Sequence, residues 1–153
     1  MRHHRACSCW GGAPLLELGS LRRAVQALDR ALLVTARSPS FAALDPAMQE
    51  TLRAGVIQCF EVAYEQTWKM MRRWIETNVG PEGVDGVTRR ELFRRAAEER
   101  LIDDVDRWME VHFTRNLSSH TYDEASAREA YERAVGFLPL AEDLLARLEA
   151  RND

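Results

Sequence analysis

Nine consecutive residues, Arg115-Asn116-Leu117-Ser118-Ser119-His120-Thr121-Tyr122-Asp123, hold five polar side chains with catalytic potential: Arg115, Asn116, His120, Tyr122 and Asp123. An arginine presents a planar fork that can hold a phosphate through two parallel hydrogen bonds, and a histidine that titrates near neutrality can move a proton. Together they describe a phosphoryl-transfer site in which Arg115 holds the phosphate and His120 does the acid-base work. The plainer alternative has Arg115 capping carbonyls, Asn116 closing a helix, and His120 and Tyr122 packing against the next helix. For an arbitrary helix junction that alternative is the better default. On a continuous helix Arg115 and His120 stand about 140° apart, whereas Asn116 and His120, at i and i+4, share a face. If the helix ends sooner, His120 folds back over a last turn whose carbonyls favour an imidazolium.

The elements that must position these groups follow the helical period from Ser20 onward. Ser20 is the expected N-cap, and Leu21, Val25, Leu28 and Leu32 then form one apolar stripe, an amphipathic helix of about five turns. Ser38-Pro39-Ser40 ends it. Asp45-Pro46 restarts the chain with a capping carboxylate and a proline at the first helical position, and the second helix runs from Pro46 to about Asn78. Its inner face is Leu52, Ile57, Phe60, Tyr64, Trp68, Met71 and Ile75. Gly80 to Gly86 is a loop by composition, and Thr88-Arg89-Arg90-Glu91 fits a capping box that opens a third helix reaching about Arg100. Asp103 and Asp104 open a fourth, with Val105, Trp108, Met109, His112 and Phe113 inside and fraying near Ser118 or Ser119. Asp123 caps a fifth carrying Tyr131, Val135, Leu138, Leu144, Leu145 and Leu148, kinked by Pro139. No alternating pattern of strand length interrupts this. The expected fold is all-α, an antiparallel four- to five-helix up-down bundle with short loops over residues 18–150.

Composition bounds the function classes. The chain has 153 residues, 46% hydrophobic and 29% charged, as one compact soluble domain requires, and its net charge of -3 argues against coating DNA or anionic membrane by bulk electrostatics. Of its 21 basic residues only Lys69 is a lysine. No apolar run approaches the ~20 residues of a membrane span. Cys7, Cys9 and Cys59 are an odd number without a secretory apolar stretch, so the expected compartment is a reducing cytoplasm. His3, His4, Cys7 and Cys9 are metal-ligand types, but no second pair completes a zinc pattern, and residues 1–17 read as a disordered leader with no metal. His112 reads as a satisfied core or interface histidine, and Trp68, Met70, Met71 and Trp74 as core and dimer contact. Glu61 and Glu65, at i and i+4, read as a solvated or Arg-paired face because no histidine accompanies them at di-metal spacing.

Arg115, four residues, His120, one residue and Tyr122 resembles the motif of HEPN domains. The full nine-residue string is similar to the branch known as nucleotidyltransferase substrate-binding proteins. The stretch from Val56 to Lys69 resembles that branch's second helix, and Arg90-Glu91-Leu92-Phe93-Arg94, Leu101-Ile102-Asp103-Asp104 and Trp108 resemble the approach to its motif helix. The resemblance covers roughly Leu18 to Leu148.

That resemblance implies a helical bundle that pairs as a homodimer, a toxin acting as a metal-independent ribonuclease with no cofactor, and a minimal nucleotidyltransferase antitoxin as partner. It places Arg115 on the scissile phosphate, His120 on the ribose 2′-hydroxyl or the leaving 5′-oxygen, and Asn116 as the group that orients either side chain. Two protomers would supply two His120 side chains, one as acid and one as base. Tyr122 becomes the residue that the partner adenylylates, which sets negative charge beside His120. The alternative is a non-catalytic subunit that binds substrate for a nucleotidyltransferase. Residues 101–153 carry 6 basic and 12 acidic groups, so an RNA backbone is repelled there unless Lys69, Arg72, Arg73 or the Arg89, Arg90, Arg94, Arg95 cluster is brought in from other helices or a second protomer.

Overall fold

The longest helix carries the others. In this computed structural model, which describes residues 15–119 and 123–152, α2 (Pro46–Asn78) begins where the Asp45 carboxylate accepts a hydrogen bond from the Ala47 amide at 2.8 Å, with proline in the first turn. The remaining helices are α1 (Gly19–Leu33), α3 (Arg89–Glu98), α4 (Val105–Ser118), α5 (Glu124–Val135) and α6 (Leu138–Ala150). Two short 3-10 turns lie at Phe41–Ala43 and Pro81–Gly83, and no strand occurs among the described residues. α2 packs against each of the other five helices, α4 also against α3 and α5, and α1 against α6. The all-α bundle is therefore present, built around one central helix.

Its core follows the apolar stripes. Leu21, Val25, Leu28 and Leu32 of α1 are all buried, as are Ile57, Phe60, Tyr64, Met71 and Ile75 of α2. Phe137 closes the centre: its ring meets Phe60 edge-on at 5.2 Å and Trp108 at 5.8 Å between centroids.

Local departures from the expected elements have local causes. α1 opens at Gly19 with Leu18 as its cap residue, because Leu18 is buried and fixes the entry of the chain, while the Ser20 hydroxyl meets Arg23 Nη2 at 3.4 Å. The capping box of α3 forms by half. Thr88 Oγ1 accepts from the Glu91 amide at 3.2 Å, but the Glu91 carboxylate turns to Arg94 and Arg95 at 3.4 and 3.5 Å.

The expected kink at Pro139 is a full break between α5 and α6. Proline cannot donate to the carbonyl of Val135, and the chain tightens instead through Gly136 N to Arg133 O at 3.2 Å and Phe137 N to Ala134 O at 3.1 Å. That break is what turns Phe137 into the core.

Phe113, expected inside, is 56% exposed. α4 instead buries Trp108, Met109, Val111, Thr114 and Ser118. Thr114 and Ser118 can face the core because their hydroxyls bond back to the carbonyls of Glu110 at 3.0 Å and Arg115 at 2.8 Å. Of the expected leader, residues 1–14 lie outside the described residues. Leu16 is tied to the far end of the chain, its amide donating to Asn152 Oδ1 at 2.8 Å and its carbonyl accepting from Asn152 Nδ2 at 3.0 Å. Among the described residues no helix is long and apolar enough to cross a membrane.

Candidate functional site

Arg115 lies in the last turn of α4, a helix started by Asp104, whose carboxylate accepts from the Arg107 amide at 3.2 Å. The end of the helix is closed by hydroxyls: Ser118 and Ser119 both donate to the Arg115 carbonyl, at 2.8 and 3.2 Å. The same Ser119 oxygen accepts from Arg115 Nη1 at 3.0 Å, so one hydroxyl closes the helix and aims the guanidinium. From α2, Glu61 Oε2 lies 3.4 Å from Arg115 Nη1 and Glu65 Oε1 lies 3.9 Å from its Nε. Glu61 and Glu65 stand one turn apart on α2 and present adjacent carboxylates. The side chains of Arg115 and Glu61 are only 26% and 24% exposed, so solvent and salt screen this pair less than the ordinary surface ion pairs elsewhere on the molecule.

Glu65 joins this pair to a second group. It accepts from Trp68 Nε1 at 3.2 Å and lies 4.0 Å from Lys69 Nζ. The Arg89 guanidinium, from the first turn of α3, stacks 3.6 Å from the centroid of the Trp68 ring. Beside it Tyr64 Oη and His112 Nδ1 are 2.7 Å apart. Burial, and then the Arg89 charge, hold His112 below its ordinary value, with Glu65 opposing, while burial pushes the Tyr64 hydroxyl up. Tyr64 thus keeps its proton, and its hydroxyl shares one hydrogen bond with an imidazole that burial favours in the neutral form. His112 is a satisfied histidine, as its place on α4 suggested.

The sequence-derived site residues are distributed unevenly. His120 and Tyr122 lie outside the described residues, with Thr121. Asn116 is exposed, and the polar contacts to the Arg115 guanidinium come from Ser119, Glu61 and Glu65. Lys69 is brought to Glu65, whereas Arg72 turns to Glu76 at 3.0 Å and Asp85 at 3.7 Å, and Arg73 is exposed. Arg90 meets Asp106 at 3.6 Å. Of the Arg89, Arg90, Arg94 and Arg95 group, Arg89 is the one that reaches this cluster, whereas the part of Ser119 had only one local signal, a hydroxyl four residues after Arg115. Asp123 caps α5, accepting from the Ala125 amide and the Ser126 hydroxyl, each at 3.2 Å. No group of three or more His, Cys, Asp or Glu side chains could hold a metal among the described residues.

The bundle and its motif helix define a class: the chain belongs to the nucleotidyltransferase substrate binding protein like family, whose model matches residues 16–150. Within that class it is 31% identical over 138 residues to the Haemophilus influenzae protein named Probable ribonuclease HepT, covering 90% of this chain and 94% of that one. A solved Haemophilus influenzae structure, described as the fold of a substrate binding domain of a nucleotidyltransferase, matches with a TM-score of 0.82 at 30% identity over 87% of this chain and 99% of that one. A Thermus thermophilus structure matches with a TM-score of 0.66 at 26% identity over 84% and 98%.

Proposed function

We propose that this chain is a HEPN-type toxin, a metal-independent ribonuclease that acts as a homodimer in the cytoplasm and is neutralised by a minimal nucleotidyltransferase antitoxin that modifies Tyr122. The observation that carries the reading is an intact arginine-histidine-tyrosine string in a chain 31% identical over 138 residues to a protein named as a ribonuclease. The setting of Arg115 supports it. A guanidinium held by Ser119 and Glu61 has already lost most of its rotamer freedom, so less entropy is spent when it engages a phosphate.

In the proposed reaction the ribose 2′-oxygen attacks phosphorus and gives its proton to one His120. The bond from phosphorus to the 5′-oxygen breaks, and that oxygen takes a proton from the second His120 of the dimer. The products are a 2′,3′-cyclic phosphate and a 5′-hydroxyl. Arg115 stabilises the charge that builds on the non-bridging oxygens. A nucleotide added to Tyr122 would place a phosphodiester charge beside His120 and repel the RNA. Purified protein is expected to cleave RNA in the presence of EDTA, and His120→Ala to lose that cleavage; intact RNA with both proteins would refute the nuclease.

A second reading, a non-catalytic subunit that binds substrate for a nucleotidyltransferase, is favoured by one observation. Glu61 and Glu65 face Arg115 within the protomer, so the Arg115 charge that RNA would meet is already offset among the described residues. A neighbouring open reading frame with a Gly-Ser and Asp-x-Asp signature fits both readings. Incubation of that partner with ATP, followed by mass spectrometry, tests Tyr122: an unmodified tyrosine beside an active partner would remove the modification from the proposal.

A further inference from the structure

A cavity of about 480 Å³ opens between the first half of α2 and the start of α5, a size within the roughly 300–1,000 Å³ of small-molecule sites. It touches the Arg115 cluster through one residue: Glu61, which pairs with Arg115 at 3.4 Å, also lines the cavity. A molecule held on Arg115 and a molecule filling the cavity would therefore flank the same carboxylate.

One wall is rigid. Arg53 Nη2 donates to Gln49 Oε1 at 3.0 Å, and the Gln49 amide donates in turn to the carbonyls of Ala42 and Leu44 at 3.1 and 2.9 Å. The Arg53 guanidinium lies 5.3 Å from the Phe41 ring centroid and 5.8 Å from that of Tyr131. Gln49 and the two rings thus fix this cation in the wall, and guanidinium groups are one of the supports on which proteins stack unpaired RNA bases. A second lining residue of α2 is adjustable: Gln58, one turn before Glu61, is exposed and lines the cavity, with an amide that offers both a donor and an acceptor to a base edge. Ile57 supplies apolar floor, and Arg128 of α5, exposed in the lining beside the carboxylates of Glu50, Glu61 and Glu124, is the cation available to a neighbouring phosphate.

We propose that this cavity is the subsite for the RNA base next to the phosphate held by Arg115, with Arg53 as the stacking surface, Gln58 reading the base edge and Arg128 meeting the backbone. The assignment rests on the ribonuclease reading above. It makes Gln58 a determinant of where the chain cuts.

The full chain is titrated with each of the four nucleoside 5′-monophosphates and followed by amide NMR shifts; the same preparations receive an RNA of mixed sequence whose cut ends are sequenced. One base is expected to bind roughly fivefold or more tighter than the poorest, with shifts centred on Gln58, Glu61 and Arg128 and with cuts clustered beside that base. Gln58→Leu should level the affinities and spread the cuts. Ala54→Phe, at an exposed position in the lining, should fill the cavity and abolish binding of all four nucleotides. Equal or undetectable binding of the four, or an unchanged preference in Gln58→Leu, overturns the subsite. Base-selective binding by a wild-type chain that cuts no RNA overturns the ribonuclease and leaves nucleotide binding in the cavity; cutting without base selection in either assay overturns the subsite and leaves the ribonuclease. Selective binding of AMP with no matching bias in the cuts overturns the RNA assignment in favour of an adenylyl group.

Discussion

Two residues show how surroundings set chemistry here. Arg115 is aimed by its surroundings, since Ser119 both closes the helix and takes its hydrogen bond while Glu61 and Glu65 face it from α2. His112 is turned the other way, into a neutral partner of Tyr64 by burial and by Arg89. Its folded-state value lies below the 6.5 of a free imidazole, so below about that pH the unfolded chain binds the extra proton first. Stability contributed by the neutral form is complete above pH 6.5 and declines as the pH falls towards the lower folded value. Urea midpoints measured between neutral and mildly acidic pH are expected to fall more steeply for the wild type than for His112→Gln. Parallel curves would show that His112 does not titrate as described.

At the scale of elements, helix ends decide the packing. α3 stops in a Schellman turn, with Arg100 N bonded to Ala97 O at 3.0 Å and Leu101 N to Ala96 O at 2.8 Å, and this turn forces Arg100 to a φ of 60°. A side chain in that left-handed region costs about 1 kcal/mol, while the flexibility of glycine in the unfolded chain takes part of that back. Arg100→Gly should therefore raise the unfolding free energy by about 0.5 kcal/mol, read as a higher denaturant midpoint with an unchanged slope. The α5–α6 break is the larger determinant. Phe137 is fully buried against Phe60, Tyr64 and Trp108, and Phe137→Ala should cost about 3–5 kcal/mol by the cavity it leaves. A loss below about 1 kcal/mol would mean that the centre repacks.

For the whole molecule, the directions of the arginines set the charge it presents to RNA. Many are consumed at home: Arg22 on Glu149, Arg37 on Asp29, Arg72 on Glu76, Arg147 on Asp103 and Asp143. Beside Arg115, Lys69 faces Glu65 and Arg72 faces Glu76 and Asp85, while Arg89 stacks on Trp68 with no ion pair among the described residues; in the proposed dimer the second protomer would add its own arginines to these. We propose Phe113, exposed on α4 two residues before Arg115, as an apolar contact of that dimer. Phe113→Glu is expected to convert a dimer to a monomer in sedimentation and to lose RNA cleavage with it. A Phe113→Glu protein that remains dimeric would put the interface on another face.

The helices were readable because caps, prolines and apolar spacing act within a few residues. Asp45-Pro46 and the loop after Asn78 bound α2 as expected, and the polar string from Arg115 to Asp123 stood out by residue type, its function being suggested only by the resemblance to the HEPN motif. The end of α3 was harder to read because arginine stands where glycine usually marks a left-handed turn. The face of α4 was decided in three dimensions. Burying Trp108 and Val111 carries Thr114 and Ser118 inward with them, which leaves Phe113 outside and swings Arg115 over α2. That Glu61 and Glu65 would be the carboxylates to meet it has no local signal, since their distance in sequence is closed only by the packing of α4 on α2. Residue types in the chain specify what chemistry is available; the rotational setting of two packed helices specifies which charges Arg115 faces.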